Sequence, residues 1–137
     1  MATTKLGFIV QRPPYKSENP KLALTHAIAS QSVEIYLKDG DLVTADIAFI
    51  GDGVLNCIKD QKAMETYDLS STESHIKMAL LLDLNVLVCK EDLEKFGMTE
   101  KDIVIDAEEF GADLEVRVVP YAEISKMMDE MNHLLFF

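Results

Sequence analysis

Strand-like and helix-like stretches alternate five times along the 137 residues. This pattern predicts one α/β domain over 1–137, with a mainly parallel five-stranded sheet and helices on both faces. Two further observations support it. The runs Phe8-Ile9-Val10 and Val86-Leu87-Val88-Cys89 are continuously apolar, as in strands covered on both sides. The stretches between such runs carry helix punctuation, such as Asn19-Pro20 at a start and Gly97 at a stop.

The first strand is read over Leu6 to Gln11. Arg12-Pro13-Pro14-Tyr15-Lys16 ends it, because proline cannot donate to a ladder, and forms a loop at its carboxyl end. Asn19 is expected to cap a helix with Pro20 in its first turn. Leu22, Leu24, Ala27, Ile28 and Ala29 form the apolar face, continued by Val33 and Tyr36. Asp39-Gly40-Asp41 breaks that helix. The second strand centres on Ala45 to Ile50, and Gly51-Asp52-Gly53 turns from it into a short helix over Val54 to Lys59.

Asp60 to Thr72 is polar and irregular with some helical character. Ser71 or Thr72 then caps a helix running to Leu84, with Ile76, Met78, Ala79, Leu80, Leu81 and Leu82 as its apolar positions. Val86 to Cys89 is the third strand and Lys90 onward the helix after it. Ile103 to Asp113 fits a strand or a helix equally. Glu115 to Val119 is β-branched and strand-like. Pro120 opens a last helix through Met131, striped by Ile124, Met127, Met128 and Met131, and His133 to Phe137 ends the chain as an apolar strand. The central strands are expected to run parallel, with Phe8, Ile50 and Val88 on neighbours.

Composition narrows the function. A hydrophobic fraction of 48% suits a folded core and is too high for disorder. The longest apolar run, Met78 to Leu82, is far short of the roughly 20 residues of a membrane span. The N-terminus lacks the pattern of a signal peptide, so a cytoplasmic location is expected, with no membrane partner. A formal net charge of −11 repels phosphate backbones, so no direct nucleic-acid ligand is expected. Cys57 and Cys89 stand in no metal-ligand spacing. His26, His75 and His133 are scattered, so neither a metal nor another cofactor is expected.

Cys89 is the candidate catalytic residue. It sits where a strand ends and a helix begins, and open parallel sheets collect ligands at the carboxyl ends of their strands. There the following helix favours a thiolate. Position alone fits equally a small buried hydrophobe that fills space. Lys90 and Lys95 would lower the thiol pKa while Glu91, Asp92 and Glu94 would raise it, so the sign stays open. Gly51-Asp52-Gly53 could cradle an anion on backbone N–H groups. It lacks the full dinucleotide fingerprint and a P-loop lysine, and a structural turn with Asp52 as a cap is the stronger reading. Cys57, among Val54, Leu55 and Ile58, reads as core. His26 and the methionine stripe read as structural. The candidate binding residues are Pro14, Tyr15, Gly51, Asp52, Gly53 and Lys90.

Four stretches together resemble the DsrE/DsrF-like sulfur-relay family, most strongly its DsrF/TusC branch. They are Gly7-Phe8-Ile9-Val10 with Arg12-Pro13-Pro14-Tyr15; Phe49-Ile50-Gly51-Asp52-Gly53-Val54 with Gln61; Val88-Cys89 through Gly97-Met98; and Asn132-His133-Leu134-Leu135-Phe136-Phe137. The resemblance implies a small α/β subunit of a trimer, a hexamer or a hetero-oligomer with paralogous subunits. It also implies a relay in which a cysteine persulfide takes sulfur from a donor protein and passes it to an acceptor, in tRNA thiolation or sulfur oxidation. Cys89 matches the active cysteine of the DsrE/TusD branch. Members of the DsrF/TusC branch are usually partners of the carrier. Relative to compact members, Asp102 to Asp113 resembles an acidic insertion. Three readings follow: a sulfurtransferase-like persulfide carrier using Cys89, a non-catalytic partner subunit, and a small-ligand or nucleotide-binding module using the Gly51–Gly53 turn. An accessible Cys89 favours the first and a sealed one the second.

Overall fold

A computed structural model describes residues 3–15, 17–32, 42–67 and 71–137 of the chain. Five strands form one sheet: β1 (Thr3–Val10), β2 (Leu42–Phe49), β3 (Asn85–Cys89), β4 (Arg117–Val119) and β5 (His133–Phe136). Their order is β4-β3-β2-β1-β5 and every pairing is parallel. Phe8 lies opposite Ile47 on one side and Leu135 on the other, and Phe49 lies opposite Val88. The sheet is therefore wholly parallel, as its continuous apolar runs require. Ile50 falls one residue past β2.

The helices are α1 (Asn19–Ser32), α2 (Ala63–Tyr67), α3 (Thr72–Leu81), α4 (Lys90–Lys95) and α5 (Tyr121–Glu130). α1 and α3 pack side by side, whereas α5 packs on β1 and β3. Winding runs from β1 to β4 in one direction and then returns through α5 to β5 on the far edge. With right-handed crossovers, α5 covers the opposite face from α1 and α3. The core between the layers holds Phe8, Ile9, Val10, Leu24, Ile47, Phe49, Ile76, Leu80, Val88 and Ile124, all fully buried or nearly so. Phe137 stacks on Phe8 with ring centroids 6.1 Å apart.

Several local expectations are corrected. Asn19 is the first residue of α1 rather than its cap; the Ser17 hydroxyl accepts its N–H instead. Leu22 and Ala29 face outward, because Ala23, Leu24 and Ala27 form the buried stripe. The segment after β2 is a 3-10 helix, Gly51–Cys57, and starts earlier than the α-helical spacing suggests. Ile50 holds its N-cap position and no side chain caps it, so Asp52 does not. Ser71 does cap α3, accepting from the Ser74 N–H, but Met78 and Leu81 are exposed. Residues 103–113 form neither a strand nor an α-helix. They hold isolated bridges Ile58–Ile103 and Asp106–Glu115, plus a 3-10 turn at Glu108–Phe110. The methionine stripe belongs to the core: Met127 is buried, and Met128 and Met131 pack against the cluster. The expected helical continuation at Val33 and Tyr36, the break at 39–41, and Lys16 lie outside the described residues.

Candidate functional site

A doubly wound sheet leaves a crevice where neighbouring strands send their connections to opposite faces. Here winding reverses after β4, so that place is the carboxyl end of β3 beside β4. Cys89 is the last residue of β3 and stands there. Three strand-to-helix turns meet around it: Gly51–Gly53 after β2, Cys89–Lys90 after β3 and Pro120–Tyr121 after β4.

The turn after β2 is built by its glycines. A Cβ on Gly53 would lie 2.1 Å from the Val10 carbonyl oxygen, so only glycine lets the turn close onto β1. Gly51 adopts φ +55°, a left-handed conformation that disfavours side chains. The turn is also tied to the loop after β1. Asn56 is fully buried and its Nδ2 donates to the Arg12 carbonyl at 2.7 Å and to the Gly53 carbonyl at 3.0 Å. The Asn56 Oδ1 has no partner among the described residues. Gln61 donates through Nε2 to the Asn56 and Ile58 carbonyls, while its Oε1 accepts from the Thr72 hydroxyl. Polar groups sealed from water need such partners, and this network supplies them beneath the turn.

The acids that follow Cys89 are committed to its neighbours. The Asp92 Oδ2 accepts the Gly51 N–H at 2.7 Å, which ties α4 to the turn after β2. The Glu91 carboxylate accepts the Tyr121 N–H at 3.1 and 3.0 Å, which ties α4 to the start of α5. Tyr121 is the first residue of α5, where N–H groups lack helical partners, so Glu91 satisfies one of them. Two carboxylates from adjacent residues thus bridge the Cys89 turn to the turns on either side.

The thiol itself is sealed. Cys89 is 1% exposed, the buried one of the two states that its position left open. It holds the N-cap position of α4 without making a capping hydrogen bond. Burial first, then the carboxylates of Asp92 and Glu91, push its pKa up to about 11; the Asp92 N–H pulls the other way. The open question of sign is thereby settled toward the neutral thiol. Lys90 and Lys95 are both exposed. Cys57 is fully buried in the 3-10 helix and its thiol is pushed up by burial alone.

Of the candidate binding residues, the structure brings Gly51 to the Cys89 turn through Asp92, whereas Gly53 packs on Val10 of β1 and bonds Asn56. Tyr15 is 57% exposed and Pro14 half-buried on the loop after β1. Among the described residues, no hydrogen bond joins Pro14, Tyr15 or Asp52 to the Cys89 turn, and Lys90, which belongs to that turn, is exposed. The Gly51 N–H goes to Asp92 and the Gly53 N–H to the Ile50 carbonyl, so both are engaged within the chain. Among the described residues no three His, Cys, Asp or Glu side chains form a metal set. No helix among them is long and apolar enough to cross a membrane.

Asn56, Glu91 and Asp92 are the site residues that the sequence reading missed as partners. The signal available was weak: a lone Asn inside an apolar stretch, and acids two and three residues past the N-cap.

Comparison with known proteins fits this geometry. A TusC homolog from Aliivibrio fischeri is 30% identical over 105 residues, spanning 76% of this chain and 81% of that protein. The crystal structure of the ychN protein from E. coli superposes with a TM-score of 0.75 at 18% identity, covering 98% of this chain and 99% of that one. A protein of unknown function from Methanobacterium thermoautotrophicum, MTH1491, gives 0.63 at 13% identity, covering 98% and 99%. These two likenesses speak for the fold. The DsrE/DsrF-like family matches residues 4–137, nearly the whole chain, and this protein belongs to the DsrE/DsrF-like family.

Proposed function

We propose that this chain serves a sulfur relay as a partner subunit whose own cysteine, Cys89, is held in reserve rather than carrying sulfur in the isolated chain. The observation that carries the reading is the sealed Cys89 thiol, 1% exposed beneath two carboxylate tethers. Sulfur exchange needs an exposed thiolate, and burial beside two acids supplies neither condition. Family membership and the TusC homolog support the relay context. Exposed apolar residues along the edge strand β5, Leu134, Leu135 and Phe136, support assembly with further subunits.

A specific observation also favours a second reading, in which Cys89 carries the persulfide. The residue stands at the carboxyl end of β3, where the topology collects chemistry. In that reading the Cys89 thiolate attacks the terminal sulfur of a donor persulfide. A new S–S bond forms on Cys89, the donor's S–S bond breaks, and the donor leaves as a thiolate.

Incubation with inorganic polysulfide followed by mass spectrometry separates the two. The expected result is no +32 Da species on Cys89 of the isolated protein, where the mass of one sulfur atom sets the roughly 32 Da step. An adduct on Cys89 that is absent from Cys89→Ser replaces the first reading with the second.

A further inference from the structure

We propose that Asp92 is the latch that keeps Cys89 closed: its carboxylate, fastened to the Gly51 N–H, holds the turn after β2 over the thiol, with Glu91 fastening the opposite side. The inference deepens, and rests on, the reading of Cys89 as a thiol held in reserve. Its ground is geometric. Asp92 lies three residues past Cys89, which places it one helical turn on and over the same end of α4. From there it reaches across to Gly51, 41 residues away in sequence, at 2.7 Å. Gly51 lies past the end of β2, so its N–H is outside the sheet ladder and open to that bond. Glu91 makes the matching bond to Tyr121 at 3.0 Å, 30 residues away. Asp92 therefore bridges the ends of β3 and β2, and Glu91 spans the crevice between β3 and β4.

Two kinds of burial are distinguishable on this basis. Cys57 is enclosed by apolar packing throughout, with Val54 and Val104 among the buried residues at that corner. Cys89 has the Asp92 and Glu91 carboxylates beside it, each fastened to a neighbouring turn by a charge-assisted hydrogen bond. Such a bond is strong but local, so the turn can release without disturbing the core. Removing the Asp92 carboxylate acts on the thiol twice: the tether is lost, and so is the nearest negative charge.

The test is alkylation of the full chain by iodoacetamide at pH 8, with the labelled cysteine located by mass spectrometry and the Gly51 amide followed by hydrogen exchange. Asp92→Ala is expected to raise the Cys89 rate by about tenfold or more, the change in thiolate fraction that one pKa unit gives. The Gly51 amide loses protection at the same time. Asp92→Asn keeps an oxygen that can accept the Gly51 N–H but loses the charge. It is expected to leave that amide protected and to give a rate between those of the parent and the alanine variant. Cys57 stays unlabelled in every variant, which a general loosening of the fold would not permit.

The latch is overturned if Asp92→Ala reacts within twofold of the parent, or if Cys57 becomes labelled along with Cys89. Should the alanine variant fail to fold, Asp92→Asn decides alone: a rate equal to the parent's overturns the proposal. Failure here is separable from failure of the functional reading. A persulfide on parent Cys89 sinks the reserve-thiol reading whatever Asp92 does, whereas a rate indifferent to Asp92 sinks only the latch.

Discussion

The corner after β2 and the corner after β3 each carry a cysteine, and the two are almost equally inaccessible: Cys57 at 0% and Cys89 at 1% exposure. They are sealed by different means. The Cys57 corner is closed by packing, by a glycine that only just clears Val10, and by the Asn56–Gln61–Thr72 network. The Cys89 corner is closed by acids of its own helix reaching to neighbouring turns. Exposure alone would class both as inert core. In the proposed reading, one is built into the fold and the other is covered by groups that can let go.

The comparison can be broken most directly at Gly53. Gly53→Ala drives a methyl into the Val10 backbone carbonyl, and backbone cannot step aside as a side-chain tip can. It is expected to cost about 3 kcal/mol, the upper end for overpacking. Urea denaturation checks this; a midpoint close to the parent's would show that the first corner is looser than its geometry implies.

Cys57→Ser comes next. It places a hydroxyl where burial is wholly apolar, with an expected loss of about 2 kcal/mol. Gln61→Ala should cost slightly less, about 1.5 kcal/mol, by withdrawing hydrogen bonds from two partly buried carbonyls and from Thr72. If both variants unfold at the parent's urea concentration, the first corner is not held by packing and its network.

Cys89→Ser should be the mildest, below about 1 kcal/mol, because a hydroxyl there has the polar surroundings of Asp92 and the α4 amides. A loss as large as that of Cys57→Ser would erase the distinction between the corners. The pH dependence sharpens the same point. The Cys89 thiol is raised from an ordinary 9.0 to about 11. The folded chain therefore holds that proton more tightly than the unfolded chain. The stabilisation is complete below about pH 9 and is lost as the pH rises from there through about 11. Comparing parent and Cys89→Ser midpoints at pH 7, 9 and 10 should show the gap shifting against the parent as the pH climbs. A gap that stays constant to pH 10 would mean that the thiol is not perturbed in this way.

Much of this architecture is readable along the chain. Continuous apolar runs at Phe8–Val10 and Val86–Cys89, with helical stretches between them, determine a parallel covered sheet, because only that arrangement buries both faces of such strands. The apolar helical neighbours of Cys57 mark it as core. Boundaries and faces were less legible. Met78 and Leu81 are apolar yet exposed, and the segment after β2 tightened into a 3-10 turn because Gly53 must pass close to Val10. The state of Cys89 was not legible at all. The sequence places lysines, acids and a helix start beside it, whose effects on a thiol oppose one another. Tertiary structure decided the sign by burying the residue and by turning Asp92 and Glu91 toward Gly51 and Tyr121, 41 and 30 residues away. Charge order along a chain records which groups are near in sequence. Exposure and hydrogen-bond partners depend on which turns the strand order β4-β3-β2-β1-β5 sets side by side, and that order emerges only when the sheet is assembled.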